Sequence, residues 1–133
     1  MNCTLSSIHY FPVKSLSFSN LNKCLIKKNL GIINDRYFAF SRNIDFEKAK
    51  MIEKFPSKRK LNYFLTLKNS PALNKYHFIF KEKLLTLYRN DNKIISISSE
   101  NYNQYDLVCD KLIELEESLI GPIFLLKNEN YPF

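Results

Sequence analysis

Lys14 and Ser15 stand just past Pro12, at the end of the apolar run Ile8-His9-Tyr10-Phe11, and a lysine ammonium beside a serine hydroxyl is chemistry suited to a phosphate. Pro12 fixes φ and carries no N–H, so a strand reaching it ends there and leaves Lys14 and Ser15 at a sheet or barrel rim. The plainer reading of the same residues is a strand end followed by a solvated polar turn. A second group follows Gly31, one of only two glycines in the chain: Ile32-Ile33-Asn34-Asp35-Arg36. Gly31 predicts a positive-φ turn, and the alternation of Phe38 and Phe40 after it predicts a strand with one face buried.

Other reactive residue types offer less. Cys3, Cys24 and Cys109 are odd in number and lack C-x-x-C spacing, which argues against a disulfide framework and against a structural zinc site; they read as reduced thiols. His9 and His77 lie in strand-like apolar segments without carboxylates at ligand spacing, so no metal site is expected from them.

The elements that must position these residues read mainly as strands. Cys3 to Phe11, Phe18 to Asn29 and Arg36 to Arg42 give the first three; the second alternates Leu21, Lys23, Leu25 and Lys27. Asn43 to Lys60 loses period-2 order, carries Lys48, Lys50, Lys54, Lys58, Arg59 and Lys60, and admits a short helix around Phe46 to Lys54 that ends before Pro56. That basic run reads as a solvated face, or alternatively as a docking loop for an acidic partner. Leu61 to Leu67 resumes strand character, and Tyr76 to Lys81, Lys83 to Tyr88 and Lys93 to Ser98 follow, the last two joined through Arg89-Asn90-Asp91-Asn92 as a hairpin. Val108, Leu112, Leu115 and Leu119 recur on one helical face from Tyr105 to Leu119, with Gly121 and Pro122 as the stop and Ile123 to Lys127 as a closing strand. The expectation is a mainly β fold: a small barrel of about six or seven strands with one packed C-terminal α-helix.

Three ordered motifs carry a resemblance. Phe11-Pro12-Val13-Lys14-Ser15-Leu16 is similar to Y-P-[VI]-K-S, Gly31-x-x-x-Asp35-Arg36 to G-[LI]-x-x-D-R, and Phe64-Leu65-Thr66-Leu67-Lys68-Asn69-Ser70-Pro71-Ala72-Leu73 to [FV]-[LV]-[ST]-x-R-x-x-P-x-L. Together they resemble the MOSC N-terminal β-barrel domain, which precedes a MOSC domain in molybdenum-cofactor proteins such as the amidoxime-reducing component and the C-terminal part of molybdenum cofactor sulfurase. The resemblance spans residues 1 to 133, with two departures: Lys68 stands in place of an arginine, and Asn43 to Lys60 is longer than the family's hairpin. It implies that Lys14, Ser15 and Arg36 contact the phosphate of a molybdopterin-type molybdenum cofactor, with Asp35, Thr66 and Lys68 as secondary candidates. The chemistry agrees, because a phosphate monoester is nearly dianionic near neutral pH, Arg grips it bidentately, Lys adds a point charge and Ser donates a hydroxyl. A carboxylate would repel that dianion, so Asp35 is expected to face backbone amides or to orient Arg36. In the family the molybdenum-ligating cysteine belongs to the MOSC domain, expected after Ile123 to Lys127, so this chain reads as the barrel module alone. Cofactor binding and any oxidoreductase or sulfurase-type chemistry would then need a MOSC domain in cis or in trans, and no catalytic residue and no metal ligand is assigned here.

Size and charge bound the rest. At 133 residues the chain reads as one domain, and no apolar run is long enough to span a membrane. No secretory signal is read in the opening residues, which makes the cytoplasm the expected compartment. The formal charge of +7 points to an anionic partner, yet sixteen lysines against four arginines look like a compositional bias rather than the clustered Arg of nucleic-acid recognition. The competing reading is a free-standing small barrel that binds nucleic acid or a protein partner without catalysis.

Overall fold

Strand β1, Ile8–Tyr10, stops before Pro12 and pairs antiparallel with β2, Ser19–Leu21, in the register Ile8↔Leu21 and Tyr10↔Ser19; the computed structural model describes residues 1–133. Two expected strands are shorter than the sequence indicated. Residues 1–7 are exposed and unpaired, so the first strand does not begin at Cys3. The apolar and basic alternation from Phe18 to Asn29 finds no core beyond β2: Leu25 and Ile26 are exposed, and the chain forms a separate hairpin from β3, Ile26–Lys27, and β4, Gly31–Ile32. Asn29 and Gly31 supply that hairpin's left-handed residues, with φ of 66° and 82°.

Strand β5, Phe38–Arg42, is the centre of the molecule. Phe38, Ala39, Phe40 and Ser41 are all fully buried, so this strand is covered on both faces rather than on the one that alternation predicts. Phe38 and Phe40 enter a core of 18 residues, whereas Ala39 enters a second core of seven with Ile52, Phe64, Leu126 and Phe133. The first helix, α1, spans Phe46–Lys54; Asp45 caps it by accepting the Lys48 amide at 2.8 Å, and Ala49 and Ile52 are its buried side. Leu61 to Leu67 is not a strand. A 3₁₀ turn covers Leu61–Tyr63, and beyond a lone bridge from Phe64 to Ser41 and a single backbone bond from Leu67 to Ser15 the chain is held by side chains. Asn69 accepts the Thr66 amide at 3.0 Å and donates to the Phe64 carbonyl at 2.9 Å, and the Thr66 hydroxyl accepts the Asn69 amide at 3.3 Å. Those bonds use the backbone groups a ladder would need.

A three-stranded meander follows a 3₁₀ turn over Pro71–Lys75: β6, Tyr76–Lys81, β7, Leu84–Arg89, and β8, Asn92–Ser98. Both of its connections are two-residue turns with positive φ at each residue, Glu82-Lys83 and Asn90-Asp91, which matches the twist of the flanking strands. Helix α2 spans Tyr105–Leu115 and buries Val108 and Leu112; it ends four residues before Leu119, which is nevertheless buried in the main core. Strand β9, Ile123–Lys127, then pairs antiparallel with β5, placing Lys127 opposite Phe38 and Ile123 opposite Arg42.

The fold is therefore mainly β with two helices instead of one, and its nine strands form four separate small sheets rather than a closed barrel of six or seven. Side-chain bonds stand where ladders are interrupted: the Tyr10 hydroxyl donates to the Phe80 carbonyl at 3.3 Å, and the Ser17 hydroxyl accepts the Phe78 amide at 2.8 Å. No helix is long and apolar enough to cross a membrane. Because Phe38 is fully buried and its ring meets Tyr37, Phe80 and Tyr105, Phe38→Ala is expected to cost about 3–5 kcal/mol, while exposed Leu61→Ala stays within about 0.5 kcal/mol; urea unfolding compares the two.

Candidate functional site

Pro12 lies beside β5, and this is what joins the first two motifs. The Pro12 carbonyl accepts the Phe38 amide at 3.0 Å, the Phe38 carbonyl accepts the Lys14 amide at 2.8 Å, and the Phe11 carbonyl accepts the Arg36 amide at 2.6 Å. A parallel bridge from Val13 to Phe38 completes the junction. Arg36 sits at φ 51° and Asn34 at φ 67°, left-handed conformations that side chains adopt at a cost of roughly 1–2 kcal/mol. Arg36 is fixed there because both of its backbone groups are used: its N–H by Phe11, and its carbonyl by the Phe133 amide at 2.9 Å. Asp35 accepts the Phe11 amide at 2.8 Å with one carboxylate oxygen and meets the Arg36 guanidinium at 3.2 Å with the other. It thus spends its charge on the loop and on Arg36, whose side chain remains half exposed.

Lys14 is different. Its side chain is half-buried, lies over the Phe64 ring with Nζ 5.6 Å from the centroid, and makes neither an ion pair nor a side-chain hydrogen bond. Burial, then the charges of Arg36 and Arg59, hold its ammonium below the ordinary lysine range. The structure thus brings Lys14 and Arg36 into one electrostatic neighbourhood and adds a third cation from the Asn43–Lys60 connection. Arg59 donates to the carbonyls of Ile52 at 2.9 Å, Glu53 at 3.2 Å, and Tyr131 and Pro132 at 3.0 Å each. Its guanidinium lies 4.1 Å from the centroid of Phe133, whose ring meets Phe64 at 5.8 Å. The sequence reading passed over Arg59 because it grouped that residue with the lysines around it. The available signal was its type: it is the single arginine in a lysine run, and only Arg carries a fork able to collect four carbonyls.

Ser15, Thr66 and Lys68 meet elsewhere. They line an open depression of about 650 Å³ together with Asn62 and Asn69, tied down by the Leu67 amide donating to the Ser15 carbonyl at 3.2 Å. The Ser15 carbonyl points to that loop because the residue is left-handed, so the Lys-Ser pair reaches two adjoining surfaces. The cysteines are dispersed: Cys3 is exposed, Cys24 is half-buried, and burial pushes the Cys109 thiol up to about 12. No three metal-ligating side chains converge in the chain. Comparison with protein-family models, curated proteins and solved structures gave no significant match.

The lowered proton affinity of Lys14 has a sign that experiment reads directly. The unfolded chain holds the Lys14 proton up to the ordinary value of 10.5, whereas the folded chain releases it earlier, so Lys14 opposes folding at neutral pH and this opposition fades as pH rises toward 10.5. Lys14→Met is therefore expected to unfold at higher urea than wild type at pH 7, with the gap narrowing toward pH 10.5. A variant less stable than wild type at pH 7 would contradict it.

Proposed function

We propose that this protein is an anion-holding β module in which Lys14 and Arg36 bind a phosphate monoester, with Ser15 reaching it from the adjoining depression. One observation carries the reading: a half-buried lysine with no acceptor, within reach of the charges of Arg36 and Arg59, while the carboxylates beside those arginines, Asp35 and Glu53, are already engaged. Like charges gathered without a partner oppose folding, and an anion bound among them removes that opposition. The three motifs extend the reading to a molybdopterin-type cofactor as owner of the phosphate. The protein is then the N-terminal module of a MOSC protein, its four small sheets standing where that family has a barrel, and a MOSC domain in cis or in trans supplies the metal ligand. Thr66 and Lys68 would face the same ligand from the adjoining depression, and a cytoplasmic setting is proposed with it.

In that assembly Arg36→Ala is expected to lower cofactor occupancy by roughly ten-fold or more, since a hydrogen bond to a charged group contributes about 1.5–3 kcal/mol in a closed site. Molybdenum per protein, measured on the purified barrel and MOSC pair, tests it; full occupancy in both Arg36→Ala and Lys14→Ala removes the phosphate role.

A second reading has its own observation. Tyr63 carries Lys48 4.6 Å and Lys60 5.9 Å from its ring centroid, an arrangement that can stack a base while lysines meet the backbone phosphates. Salt-dependent retention on single-stranded nucleic acid, lost in Tyr63→Ala and kept in Arg36→Ala, would favour that reading over the first.

A further inference from the structure

Arg59 belongs to the Asn43–Lys60 connection, the stretch where the chain departs most from the pattern it resembles. Its guanidinium gives four hydrogen bonds, all to carbonyls: two at the C-terminal end of α1 and two in the Tyr131–Phe133 segment. Carbonyl oxygens orient a cation and, at a helix C-terminus, offset part of its charge, but they do not cancel it. The nearest carboxylate, Glu53, is committed elsewhere, to the Lys50 ammonium at 2.9 Å and the Lys127 amide at 2.9 Å. The guanidinium of Arg59 is therefore fixed in direction, and with Glu53 bonded elsewhere its charge is offset only in part.

Its position joins it to both other cations. The guanidinium lies on Phe133; the Phe133 amide donates to the Arg36 carbonyl at 2.9 Å; and the Phe133 ring meets the Phe64 ring that carries Lys14. Removing Arg59 would release the segment that fixes Arg36 from one side and the ring stack that fixes Lys14 from the other. We propose that Arg59 is the positioning residue of the anion rim, holding Tyr131–Phe133 as its wall and adding the third charge that makes the rim prefer multiply charged anions. This rests on the phosphate reading of Lys14 and Arg36.

The test titrates the full chain with inorganic pyrophosphate, followed by NMR, against chloride at matched ionic strength. Arg59→Gln is expected to weaken pyrophosphate binding about five-fold, as for one charge lost at about 4 Å with water between the charges, and to raise the pH at which Lys14 titrates. Arg59→Lys keeps the charge but not the fork, so it should retain most of the affinity while the Phe133 amide exchanges faster with solvent. Pyrophosphate binding and Lys14 titration unchanged in Arg59→Gln would overturn the proposal, provided Arg36→Ala still loses binding; if Arg36→Ala also binds as wild type, the rim itself is wrong. Should Arg59→Gln fail to fold, Arg59→Lys decides: unaltered exchange at Phe133 overturns the positioning role, and faster exchange upholds it.

Discussion

The burial of β5 on both faces is the constraint from which the rest follows. A five-residue strand covered on each side leaves charged groups no place along its length and displaces them to its ends: Arg36 just before it and Arg42 at its close. Its backbone partners are set by the same burial. β9 takes one edge as an antiparallel ladder, while the other edge receives only Pro12, Lys14 and Phe64 through isolated bonds, because proline cannot extend a ladder. That incomplete edge is why Lys14 and Arg36, distant in sequence, come to one end of the molecule.

Two withdrawn lysines show how differently the fold treats such groups. Lys127, opposite Phe38 on β9, is nearly fully buried, yet its ammonium donates to the Ser99 carbonyl at 3.1 Å, pairs with Glu129 at 3.2 Å, and lies over the rings of Tyr37 and Tyr102. Burial alone would lower its proton affinity, but the bond to Glu129 and the surrounding negative charges outweigh it, and the net direction is upward. Lys14 has no such compensation and shifts downward. One lysine is thus fully compensated, while the other feels the like charges of Arg36 and Arg59 with no acceptor of its own.

Much of this was legible in the residues. Pro12 as a stop, Gly31 as a left-handed turn, a helix around Phe46 to Lys54 that ends ahead of Pro56, and the Asn90-Asp91 hairpin each depend on local chemistry that a sequence displays. What could not be read was tertiary. Phe18 to Asn29 alternates like a strand, but nothing in that alternation reveals that its second half pairs only with Gly31–Ile32, in a hairpin that leaves Leu25 and Ile26 exposed. Leu61 to Leu67 has strand composition, and the deciding contacts come from the Asn69 side chain competing for the backbone. Arg59 looked like one more surface cation because its four carbonyl partners come from two segments, one of them more than seventy residues away.

We propose that Lys14 and Arg36, backed by Arg59, form an anion site in which Lys14 has no counter-charge in the free chain. Thermal unfolding at pH 7 across a phosphate series, with chloride at matched ionic strength as reference, tests it most directly. The account predicts that phosphate raises the wild-type midpoint progressively above the chloride reference, and that this rise disappears when Lys14 and Arg36 are both replaced by Met. Equal midpoints in phosphate and chloride for the wild type, or the same phosphate-dependent rise in the double variant, would contradict it.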